Sequence, residues 1–169
     1  DYGNVADITI SAGDTTGTAT FTPTDDSVYE GNETATITMA SITGANAGST
    51  TSQTITITEN DSTPVVTLAT SATSIAENAG SSLTLTATLS NATTEDVTVA
   101  LSTSGTGTEG TDYSTISDIT ISAGDLTGTA SFTPTDDSVY EGNETGIVAI
   151  DTVSGGSATE DGTQSVTIT

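Results

Sequence analysis

The chain has 169 residues, 23 Asp plus Glu, no Lys, Arg or His, no Cys and no Trp, and a formal net charge of -23. Nucleic acid and direct membrane contact are excluded as partners, since both require basic side chains to neutralise phosphate, and disulfides are excluded for want of cysteine. Without His, Cys or Lys there is no ordinary general base near neutrality and no activated nucleophile, so no enzyme is expected and the natural partners are cations.

In chain order, the first feature is a long segment that returns later. DYGNVADITISAGDTTGTATFTPTDDSVYEGNET opens at Asp1, and DYSTISDITISAGDLTGTASFTPTDDSVYEGNET begins at Asp112, an offset of 111 residues. The match continues without insertion to QTITIT (53–58) against QSVTIT (164–169), with about 34 of roughly 58 paired positions identical. Residues 1–58 are therefore expected to be the back part of one repeat, 59–63 a linker, and 64–169 a complete repeat. Asp1 should fall in mid-domain, and any export signal or anchor outside this sequence. A period of this length is too long for a solenoid unit of roughly 20–50 residues and suits a string of separately cored domains.

Thr, Val, Ile and Ser alternate through most of the chain with turn residues between the runs, the pattern of short strands. In the complete repeat the expected strands are 65–70, 82–89, 96–102, 118–122, 127–133, 145–151 and 165–169. Apolar residues fall at period two, for example Leu83, Leu85, Ala87 and Leu89, or Val97, Val99 and Leu101, which buries one face and leaves the other wet. Seven such strands predict an all-β sandwich. Residues 1–58 hold only the last four strands and cannot close two sheets, so this part is expected to be poorly ordered or completed from elsewhere. Strands 65–102 can close with either back part, which opens a route to strand-swapped or filament-like self-association.

The loop TDDSVYEGNE supplies Asp136, Asp137, Glu141 and Glu144 within nine residues. Such carboxylates raise one another's pKa unless a cation sits among them. The favoured ion is calcium, with 6–8 hard oxygen ligands, because zinc would call for His or Cys. Asp112 precedes the fourth strand and Glu77 follows the first, and loops at one end of a sandwich can gather them. The same set recurs in the partial copy as Asp1, Asp25, Asp26, Glu30 and Glu33, followed in the linker by Glu59, Asn60 and Asp61. Acids at a domain end and in the linker beyond it suggest an ion near the junction that stiffens it.

The segments SIAEN, EGTDYSTISDITISAGD, DDSVYEGNET and TITEND together resemble the Calx-beta domain of sodium/calcium exchangers, integrin beta-four and bacterial surface arrays. The resemblance implies a seven-stranded Greek-key, immunoglobulin-like sandwich in tandem, with calcium in the loops at one end. It places the exchanger-type ligands on Glu77, Asp112, Asp136, Asp137, Glu141 and Glu144, with Glu59 and Asp61 serving the partial copy. Ser138 and Ser27 stand where the exchanger domains carry a third consecutive Asp, and E-N-D replaces their closing run of three, which implies fewer or weaker ions.

The function expected from these residues is a calcium-stiffened extracellular spacer within a large surface or adhesin-like protein, partnered by calcium and by neighbouring repeats. The alternatives are a calcium-sensing regulatory domain and a Thr-rich surface or ligand-binding module, the latter from ladders such as TITIT. A glycosidase using Asp137 and Glu141 would need a deep pocket and aromatic platforms, and aromatic residues make up 4% of the chain. The sequons at Asn32, Asn60, Asn91 and Asn143 are read as by-products of Asn and Thr abundance.

Overall fold

A computed structural model describes the backbone of residues 1–169 and every side chain except those of Asp161, Gln164 and Ser165. In chain order the strands are β1 (Val28–Tyr29), β2 (Glu33–Thr38), β3 (Ser52–Ile57), β4 (Val65–Thr70), β5 (Ser74–Ile75), β6 (Leu83–Leu89), β7 (Ala92–Thr93), β8 (Val97–Gly105), β9 (Ile119–Ile121), β10 (Thr127–Phe132), β11 (Glu144–Ser154), β12 (Thr159–Asp161) and β13 (Thr163–Ile168). No helix occurs among the described residues. The chain divides into two units, Asp1–Ser27 with Gly31–Asn60, and Val28–Glu30 with Asp61–Thr169.

The second unit contains two sheets, one ordered β10-β6-β4-β12 and the other β5-β13-β11-β8-β9. Strand β6 shows why they form. Its Leu83, Leu85, Ala87 and Leu89 are buried while Thr84, Thr86 and Thr88 point to the wetter face, the period-two pattern of a half-buried strand. Antiparallel partners flank it on both sides, β4 and β10. Val66, Leu68, Leu85 and Phe132 from this sheet share one core with Val97, Val99, Ile119, Ile121, Val148 and Val166 from the other. Each such aliphatic side chain contributes roughly 1.5–3 kcal/mol when taken fully out of water, so this shared face is what holds the sandwich together.

All seven strands expected from the alternation are present in this unit, joined by short edge pieces. Strands β8 and β11 run about three residues beyond their expected ends, because they pair with each other almost throughout and each satisfies the backbone groups of the other. A bulge between Ile150 and Thr152 interrupts that pairing. Gly146 lies on β11 where a Cβ would come within 2.8 Å of the Phe132 ring. A larger residue has no room there.

The first unit is built differently, although about 34 of its roughly 58 repeat positions are identical to those of 112–169. Strands β2 and β3 pair antiparallel, and Tyr2 bridges to Pro23 with its ring 4.8 Å from that of Phe21. Of the four strands expected in 1–58, these two form, whereas residues 8–10 and 16–21 are outside strands. Their counterparts in the second unit, β9 and β10, pair with β8 and β6, strands from the front part of a repeat. With no such ladder in the first unit, Ile8 and Ile10 are 59% and 56% exposed, against 0% for Ile119 and Ile121.

Candidate metal centre

Three loops of the second unit carry the acids. The segment between β8 and β9 holds Asp112. It begins with a turn in which the Thr108 amide donates to Asp112 Oδ2 at 2.6 Å and the Asp112 amide donates to the Thr108 carbonyl at 2.9 Å. Asp112 is thereby fixed and nearly buried, at 9% exposure. Its own carbonyl accepts the Thr135 amide at 2.9 Å, which ties this segment to the start of the DDSVYEGNE loop. Beneath it the Tyr113 and Phe132 rings stack with centroids 4.6 Å apart.

The second loop, between β10 and β11, presents Asp137 and Glu141, and Glu144 opens β11. Asp137 Oδ1 accepts the Val139 amide at 2.6 Å, a local turn typical of Asp. The third contributor is Glu77, just after β5. Its amide donates to the Thr169 carbonyl at 2.9 Å, and its Oε1 accepts the Asp137 amide at 3.3 Å.

The acids meet in two overlapping groups, Glu77 with Asp137 and Glu141, and Asp112 with Glu141 and Glu144. Within each group one carboxylate oxygen from each residue lies within 4.8 Å of the others, and Glu141 belongs to both. Loss of surrounding water, then the charges of Asp112, Asp137 and Glu77, push the Glu141 carboxyl above its ordinary range. Glu144 is raised by desolvation first, then by Asp112, by Glu141, by a hydrogen bond with Asp112 and by Glu77. Burial also raises the Tyr113 hydroxyl, opposed by its hydrogen bond to Thr103.

Carboxylates held this close without a basic neighbour form an oxygen-only donor set, partly preorganised by backbone amides. That set matches the hard-oxygen preference of calcium and lacks the nitrogen and sulfur donors zinc favours. Asp136 is exposed and belongs to neither group, although the sequence places it beside Asp137.

In the partial copy, Asp1, Asp25, Asp26, Glu33 and Glu59 lie in the first unit, while Glu30 and Asp61 fall in segments of the second. Within the first unit the residues after β3 reach back to the acidic loop. Glu59 Oε2 accepts the Gly31 amide at 2.7 Å, the Glu59 amide donates to Asn32 Oδ1 at 2.8 Å, and Asn60 Nδ2 donates to Asp25 Oδ1 at 2.8 Å. The linker residues Glu59 and Asn60 are thus fastened to the end loop.

Several supporting residues were not singled out by sequence reasoning. Glu109 Oε1 accepts the Ile116 amide at 2.8 Å and Oε2 accepts the Thr103 hydroxyl at 2.6 Å, so this carboxylate braces the loop that carries Asp112. Tyr113, Phe132 and Gly146 form the floor. The turn residues of EGTDY signal a loop there, but nothing in the linear spacing separates the bracing acid from the converging one.

The Calx-beta domain family model matches residues 1–61 and again residues 59–169. Two solved structures are similar in fold. "Crystal structure of Apo-form Calx CBD1 domain" is 17% identical, covers 61% of this chain and 95% of its own, and has a TM-score of 0.51. "Crystal structure of CBD12 from CALX1.2" is 18% identical, covers 61% of this chain and 43% of its own, and also has a TM-score of 0.51. No curated protein matches the sequence.

Proposed function

From the premise that this chain belongs to the Calx-beta family, matched in tandem over its whole length, we propose that it is a calcium-binding structural repeat that stiffens a spacer in a large extracellular surface or adhesin-like protein. Calx-beta domains bind calcium, and in exchangers they are regulatory. The observation that carries the reading is Glu141, whose carboxylate stands in both acidic groups and so allows one ion, or a bridged pair, to draw three loops together. Glu77, Asp112, Asp137, Glu141 and Glu144 would hold the ion, which would supply the positive charge the chain lacks. No step of catalysis is assigned to these residues, and the module is proposed to be non-catalytic.

Three features favour a spacer over a sensor. Repetition at a fixed offset suits an array of domains, and a net charge of -23 gives self-repulsion that bound cations offset along the whole chain. The acidic residues of one repeat also continue into the linker through Glu59 and Asp61, so ion binding would restrict the joint. A calcium titration of the full chain, read together with small-angle scattering, tests this. A spacer predicts dissociation constants near 10⁻⁴–10⁻³ M and a longer, stiffer particle with calcium, whereas constants of roughly 10⁻⁷–10⁻⁵ M would assign it to the sensors. Scattering curves unchanged between calcium and chelator would refute the stiffening.

A further inference from the structure

The ten residues DDSVYEGNET occur unchanged at 25–34 and 136–145, yet their central dipeptides differ in environment. Val139 and Tyr140 are 61% and 96% exposed and lie outside any strand. Val28 and Tyr29 are half-buried and form β1, which sits within the second unit and pairs in parallel with β7, Val28 against Ala92 and Tyr29 against Thr93. Because the local sequence is the same, the difference comes from what each copy meets.

The receiving strand is well prepared. Thr93 is 1% exposed, its hydroxyl donates to the Glu95 carbonyl at 2.6 Å, and its carbonyl accepts the Gly124 amide at 2.8 Å. That leaves a fixed edge on which an extended dipeptide can add backbone hydrogen bonds. Val139 and Tyr140 thus leave in water the same two side chains that are half-buried as Val28 and Tyr29.

We propose that Val139 and Tyr140 are a docking plug for the Ala92–Thr93 edge of a further copy of this repeat, so that successive repeats are joined by strand addition as well as by the linker. The contact is heterologous, plug to edge, and it propagates along an array rather than closing on itself. Two residue pairs give a weak contact, adequate when the chain tethers the partners at millimolar effective concentration. It does not depend on the calcium reading.

The chain has no cysteine, so disulfide trapping reports the contact cleanly. First, V28C/A92C in the full chain should close an internal disulfide, since directly paired residues suit its geometry. Second, a full chain carrying V28S/Y29S/A92C, its edge freed, is mixed with a full chain carrying V139C in about 1 M NaCl, where screening falls to about 3 Å. Cross-linked dimers should form at least about 10-fold faster than with an L126C chain, whose cysteine would stand at a site 49% exposed. Restoring Val28 and Tyr29 in the acceptor, or adding a peptide of sequence DDSVYEGNET, should suppress the reaction. Near-ultraviolet circular dichroism of the stacked Tyr113 confirms that the acceptor is folded. Equal rates for V139C and L126C, indifference to an occupied edge, or failure of V28C/A92C to close would each overturn the proposal.

Discussion

Replacing the same phenylalanine in the two copies separates a closed core from an open one. Phe132 is 0% exposed, stacks on Tyr113 at 4.6 Å and fills the space over Gly146. Phe132→Ala therefore removes a fully buried ring and leaves a cavity that the paired strands β6, β10 and β11 cannot collapse, at about 3–5 kcal/mol. Phe21, its counterpart at the same offset, is only half-buried and touches Tyr2 at 4.8 Å. Partial burial of one ring is worth about 1 kcal/mol, so Phe21→Ala should cost little. At about 4 °C per kcal/mol for a unit of this size, the difference of about 2–4 kcal/mol is roughly 8–16 °C in the melting of the tyrosine near-ultraviolet signal. Urea unfolding should show the same ranking in midpoint. Equal losses for the two variants, or a larger loss for Phe21→Ala, would refute the claim that only the second copy closes two sheets over a core.

Glu141→Gln should raise the melting temperature of the metal-free chain, because it relieves both crowded groups at once, and should weaken calcium binding by at least about 10-fold as measured by calorimetric titration. Asp137→Asn should weaken calcium binding markedly more than Asp136→Asn, since only Asp137 stands in a converging group; equal effects would show that the grouping does not report the ligands. The raised carboxyls of Glu141 and Glu144 fix a pH dependence. In the metal-free chain they hold protons that the unfolded chain has released, so their contribution is most favourable below the ordinary value of 4.5 and is lost as pH rises through the raised folded values. Calcium competes with those protons, so its affinity should fall as pH is lowered through the same window, which titrations at several pH values will check. Gly146→Ala should destabilise by about 1–3 kcal/mol through overpacking against Phe132, read as a shift in urea midpoint.

The strands of the complete repeat were legible because burial here follows strict alternation. Leu83, Leu85, Ala87 and Leu89 announce β6 without reference to any neighbour. Residues 8–10 carry the same ITI as β9, yet no strand forms there, since a strand needs a partner ladder and the letters of one segment do not say whether the partner exists. Convergence at the acidic end was legible as a composition, through Asp112, Asp137, Glu141, Glu144 and Glu77. Its selectivity was not, because the turn that fixes Asp137 through the Val139 amide leaves the adjacent Asp136 outside both groups. Glu109 shows the reverse limit. It resembles any other loop acid, and only its bonds to Thr103 and Ile116 reveal that it braces the loop. The docking dipeptide escaped sequence reasoning for a simpler reason, in that two identical segments can be told apart only by their surroundings.

The central claim is that the acids meeting around Glu141 are tolerable because a divalent ion binds among them. The most direct measurement is the melting temperature of the intact chain across a calcium series at fixed pH, ending in excess chelator. The melting temperature should rise continuously with calcium, by the equivalent of about 2.7 kcal/mol when free ion is 100-fold above the dissociation constant, and this rise should be lost in Glu141→Gln. A melting temperature that is the same in chelator and in saturating calcium, or a calcium shift that survives Glu141→Gln at full size, would contradict it.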